Sequence, residues 1–76
     1  MADLAAAAPR YFRAEVVMAG DVIEVDGQPW RVVAGKLAPA TRRLALKHAS
    51  YPNRTRVIRP RREAQLRMLA PHRWAA

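Results

Sequence analysis

The dipeptide Asp26-Gly27 constrains this chain more than any other feature. A two-residue type I′ turn needs positive φ at both central positions, which aspartate tolerates and glycine adopts freely, and its twist matches that of paired strands. Val22-Ile23-Glu24-Val25 precedes the dipeptide, and Trp30-Arg31-Val32-Val33-Ala34 follows it after Gln28-Pro29. Both runs are rich in β-branched or aromatic residues, as strands are. Proline is tolerated at a strand's first residue and not at its centre, which puts Pro29 at the start. A hairpin is therefore expected over residues 22–34.

Other short runs separated by turn residues surround this hairpin. Glu15-Val16-Val17-Met18 reads as a β-type run that ends at Ala19-Gly20-Asp21. After a break at Leu37-Ala38-Pro39-Ala40-Thr41, the stretch Arg42-Arg43-Leu44-Ala45-Leu46-Lys47-His48 alternates. Period two sets Leu44 and Leu46 on one face, with Arg43, Ala45 and Lys47 on the other. A short helix there has little room between Pro39 and Tyr51-Pro52-Asn53. Arg54-Thr55-Arg56-Val57-Ile58-Arg59 alternates again, with Arg54 and Arg56 sharing a face and Arg59 on the other. Residues 60–65 fit one helical turn with proline at its first position, and Leu66-Arg67-Met68-Leu69 a closing strand. Five or six short strands at this spacing point to an all-β barrel or sandwich, and a closed barrel leaves no exposed edges.

Flanking segments read differently. Residues 1–10 hold an alanine tract that Asp3 can cap, a turn of helix or a flexible tail closed by Pro9. Residues 11–69 form the folded domain, and 70–76 a tail that Trp74 can pin. The apolar stretch near the N-terminus follows an acid and is cut by Pro9, unlike an export signal, and no apolar run is long enough to span a bilayer. A soluble, cytoplasmic protein is expected, with no membrane partner. With 76 residues and no cysteine, neither a second domain nor a disulfide framework is available.

Charge is distributed unevenly. The net charge is +8, yet residues 1–29 carry Arg10 and Arg13 against five acids, and residues 30–76 carry twelve basic side chains against Glu63 alone. Codon bias in a GC-rich genome accounts for arginine in place of lysine, but not for this excess over acid. Such a field draws polyanions, foremost nucleic acid and then an acidic protein surface.

Catalytic chemistry is not indicated. His48 and Ser50 are neighbours, but no orienting carboxylate or oxyanion-building turn accompanies them, so a surface histidine beside a turn serine is the simpler reading. No HxxxH or CxxC spacing offers a metal site. Asp21, Glu24 and Asp26 read as the exposed face of the first hairpin. Gly20, Gly27 and Gly35 fall in no phosphate-loop spacing, and no cofactor is expected. The chain reads as a non-enzyme.

The basic residues remain. Arg42, Arg43 and Lys47 lie on one predicted strand and Arg54, Arg56 and Arg59 on the next, with Arg61 and Arg62 beyond. If the two strands pair around residues 50–53, their cations gather. Guanidinium forks bind phosphate oxygens bidentately, so these eight side chains are the expected phosphate contacts. Tyr51 at the turn either stacks on a base or packs over the barrel end, and Trp30 belongs to the core. A competing expectation is a protein–protein adaptor or structural subunit, phage-derived, that docks on an acidic partner through Tyr11, Phe12, Tyr51 and Trp74.

Residues 19–33, Ala-Gly-Asp-Val-Ile-Glu-Val-Asp-Gly-Gln-Pro-Trp-Arg-Val-Val, resemble the opening of the N-terminal domain of elongation factor P. Short stand-alone chains of high-GC bacteria and their phages begin similarly. The resemblance implies a KOW-type, SH3-like barrel that contacts RNA, ribosomal or transcription components. It is close over about fifteen residues and looser, by strand order, over 11–69. The elongation factor continues into two further domains, and its functional tip is a longer glycine- and lysine-containing loop. Gly35-Lys36-Leu37-Ala38-Pro39-Ala40-Thr41 stands at that place without a matching motif, so stimulation of peptidyl transfer is not implied.

Overall fold

The computed structural model describes residues 10–71. The expectations placed on residues 1–9 and 72–76, including those for Asp3, the alanine tract and Trp74, lie outside the described residues. The chain order is β1 (Arg10–Arg13), a 3₁₀ turn (Ala14–Val16), β2 (Val22–Val25), β3 (Gln28–Leu37), β4 (Arg42–His48), β5 (Thr55–Ile58) and β6 (Gln65–Ala70). All six strands join one antiparallel sheet in the order β1-β6-β2-β3-β4-β5. The fold is all-β, as the spacing of turn signals indicates.

The β2–β3 hairpin forms as expected. Asp26 and Gly27 have φ of 52° and 77°, the left-handed pair that a type I′ turn requires. Pro29 is second in β3, where its carbonyl accepts the Ala49 N–H at 3.0 Å. β4 and β5 also pair, with Leu44 opposite Ile58 and Lys47 opposite Thr55. Leu44, Leu46 and Ile23 are fully buried on the inner face beside Trp30, Val32, Met68 and Val17. Each such aliphatic side chain contributes about 1.5–3 kcal/mol on burial, and no disulfide supplements them.

Three local expectations are corrected. Residues 15–18 do not form a strand: Ala14 and Val17 are both buried, three residues apart, while Val16 and Met18 face solvent. A tight turn puts positions three apart on one side, and a strand does not. The turn is held by hydrogen bonds from Val17 N–H to Ala14 O and from Met18 N–H to the Asp21 carboxylate. Residues 60–65 are not helical. Their backbone is engaged on both sides, with Arg42 N–H donating to Pro60 O and Glu15 N–H to Arg62 O, before a turn closed by Ala64 N–H to Arg61 O. β3 runs to Leu37, longer than the expected strand, because a bulge at Val33 lets it keep pairing with β4.

The sheet is rolled, not closed into a barrel by strand pairing. β1 and β5 are its edges, and residues 60–64 lace the open side. Within that short segment, hydrogen bonds reach Ala40 and Arg42 at the start of β4 and Ala14 and Glu15 after β1. In a flat sheet, β1 and β4 would stand four strand spacings, about 19 Å, apart. Phe12 of β1 and Ile58 of β5 both pack against the same core. Among the described residues no helix is long and apolar enough to cross a membrane.

Candidate nucleic-acid interface

Partners across an antiparallel pair share a face, so the registers of β3, β4 and β5 assign every cation. Arg31 stands opposite Lys47, and Lys36 opposite Arg43. Following the β4–β5 register from Leu44↔Ile58 toward the Thr41↔Arg61 bridge puts Arg43 opposite Arg59. Lys36, Arg43 and Arg59 thus form one row across three strands on the outer face, and Arg31 and Lys47 form another. Between the rows run Ala34, Ala45 and Val57. Arg61 extends the face beside Thr41.

None of the three strands contains an acidic residue. Lys36, Arg43, Lys47, Arg59 and Arg61 are exposed and make no ion pair or side-chain hydrogen bond among the described residues. Arg31 donates one hydrogen bond, to Gly20 O at 3.2 Å. Like charges directly opposite each other destabilise a sheet, so the fold gains nothing from this arrangement.

The bulge produces the outer rows. Val32 faces Leu46 and Ala34 faces Ala45, so Val33 is the extra residue of β3. Simple alternation would place Arg31 and Lys36, five positions apart, on opposite faces. The extra residue brings both to the outer one.

The eight predicted contacts therefore divide. Arg43, Lys47, Arg59 and Arg61 come together on the outer face. Arg54 and Arg56 share the opposite face, as alternation predicts. Arg56 Nη1 pairs with an Asp26 carboxylate oxygen at 2.9 Å, and its guanidinium lies 5.9 Å from the centre of the Trp30 ring. Arg62 pairs with Glu15 at 3.4 Å and donates to Pro39 O. Arg42 is half-buried on the inner side, where Nη2 donates to Val17 O at 2.8 Å and Nε has no partner. Its guanidinium crosses Gly35 so closely that a Cβ there would lie 2.6 Å from Nη2. Arg31 and Lys36, absent from the predicted set, complete the face. Arg31 joins it by regular pairing with Lys47, whereas only the bulge puts Lys36 there, and no turn residue marks the bulge in the sequence.

His48 corrects the reading of a surface histidine. It is buried on the inner face, where Nδ1 accepts the N–H groups of Ser50 (3.0 Å) and Tyr51 (3.2 Å). Nε2 then carries the proton and donates to Gln28 Oε1 at 2.9 Å. Tyr51 packs against the His48 ring at 5.1 Å, and Trp30 meets the same ring edge-on. The acids near the first hairpin are likewise not one exposed face. Asp21 is buried and holds the Met18 N–H, Glu24 pairs with Arg67, and of the three only Asp26 is exposed. Among the described residues, no three His, Asp or Glu side chains gather as metal ligands would. Of the aromatic anchors expected of an adaptor, Tyr11 and Tyr51 are exposed and Phe12 is packed on the core.

No protein-family model, curated protein or solved structure matches the chain.

Proposed function

We propose that this protein is a small nucleic-acid-binding accessory module that holds phosphates on the outer face of β3, β4 and β5. One observation carries the reading: Lys36, Arg43 and Arg59 stand side by side on neighbouring strands, with no acid on any of the three strands. That placement costs stability in the free protein and is relieved when an anion lies across it. The contacts are Arg31, Lys36, Arg43, Lys47, Arg59 and Arg61. Arg42, Arg56 and Arg62 hold protein partners instead, and Arg54 lies on the other face. The likeness of residues 19–33 to the elongation factor P domain supports a setting in translation or transcription.

Binding to a labelled oligonucleotide across a salt series tests the proposal. With about six phosphate contacts, log affinity should fall linearly with log salt, with a slope of about −5. Absence of binding at low salt would overturn it and leave an acidic protein partner as the occupant of the face.

A further inference from the structure

The cationic face also discriminates among forms of nucleic acid, an inference that rests on the phosphate-binding reading above. Proteins that hold single strands interleave cations with aromatic platforms on which bases stack. No aromatic side chain stands on the outer face of β3, β4 or β5. Trp30 and His48 are turned into the core, and Tyr51 at the hairpin end lies against His48. The face offers charge and a floor of alanine and valine, without a stacking surface.

Its cations also form two lines where a single strand presents one line of charge. The row Arg31–Lys47 and the row Lys36–Arg43–Arg59 are separated by the neutral row Ala34–Ala45–Val57. Lys47 and Arg43 are four residues apart on β4, about 13 Å of extended chain. The major groove of B-form DNA is about 12 Å wide, with a phosphate backbone along each margin. Within the longer row, neighbouring Cα atoms are about 4.8 Å apart, so three cations converge on one stretch of backbone.

We infer that this face takes double-stranded DNA, straddling a groove with one row of cations on each phosphate margin. Duplex RNA is recognised through contacts to 2′-hydroxyls as well as phosphates. The strip between the rows carries no hydrogen-bonding side chain to make such contacts, which favours DNA. Binding is through backbone and is weakly selective for sequence.

The test is fluorescence anisotropy of the full chain with one sequence supplied as duplex DNA, duplex RNA and single-stranded DNA, at matched salt. Duplex DNA is expected to bind about tenfold tighter than the single strand. Arg43→Glu and Lys47→Glu, one in each row, should each lower the salt slope for duplex DNA by about one, and Arg56→Ala should leave it unchanged. Equal or tighter binding of the single strand or of duplex RNA would overturn the inference while leaving phosphate binding intact. So would a change of slope confined to one row. Failure to bind all three would remove both readings.

Discussion

Replacing Lys36 by glutamate should make the protein more stable and a poorer ligand for nucleic acid. Lys36 and Arg43 are direct cross-strand partners, both exposed, with no acid to relieve them on their strands. Two unit charges about 6 Å apart in water interact by roughly 0.7 kcal/mol, and a screening length of about 8 Å at physiological salt halves that. Lys36→Glu turns this repulsion into an attraction of equal size, a swing of about 0.7 kcal/mol, and Arg59 one strand further adds a few tenths. For a domain of this size, such a change should raise Tm by about 3–6 °C. Lysine and glutamate have similarly poor strand propensity, so the backbone contributes little to the difference.

The assay is thermal unfolding followed by circular dichroism, for wild type, Lys36→Gln and Lys36→Glu, at physiological and at molar salt. Lys36→Gln should lie midway. At molar salt, where screening acts within about 3 Å, the three curves should nearly coincide. A Lys36→Glu protein no more stable than wild type at physiological salt would refute the reasoning, because the two side chains would then not be near neighbours on one face.

The Gly35–Arg42 contact predicts a non-additive pair: Gly35→Ala and Arg42→Met should each cost about 1 kcal/mol in urea unfolding, and the double variant little more than either alone, since both lose the bond to Val17 O. His48→Phe should cost about 1–2 kcal/mol by the same measurement, because the Ser50 and Tyr51 N–H groups and the Gln28 side-chain carbonyl lose their partner on the buried ring. Arg56→Ala removes only an exposed ion pair and a ring contact, so its cost should stay near 1 kcal/mol or below.

The sequence reveals the fold where chemistry is local. Asp26-Gly27 dictates its own turn, and alternation of leucine with arginine, alanine and lysine assigns both faces of β4 without help from the rest of the chain. What stays hidden depends on distant partners. Residues 14–16 coil because Ala64 O and Arg62 O receive their N–H groups, and residues 60–64 bridge and turn instead of winding into a helix for the same reason. The candidate site is half legible. Arg43, Lys47 and Arg59 follow from period two, and Arg31 from its alternation with Trp30 and Val32, but Arg61 joins them through the bridge to Thr41 where a helical turn was expected, and Lys36 only through a bulge that valine-rich sequence does not announce. Arg42 looks like the other cations in the sequence. Its inward role emerges only once the fold brings Val17 O within reach and Gly35 leaves space.

The Val33 bulge makes the two halves of β3 separately readable frames. Upstream of it, odd positions face outward, and downstream even positions do. Deleting this one codon would leave Ala34 opposite Ala45 and Lys36 opposite Arg43, because only the extra residue is lost, whereas drawing Val33 into regular pairing at unchanged length would invert every side chain from Ala34 to Leu37 and leave Trp30 and Val32 in the core. Lys36 would then point inward, and Gly35, with its bare backbone, would take its place in the outer row. The central cation of the binding face therefore depends on Val33 staying out of the ladder, a matter of pairing with β4 and not of composition or length.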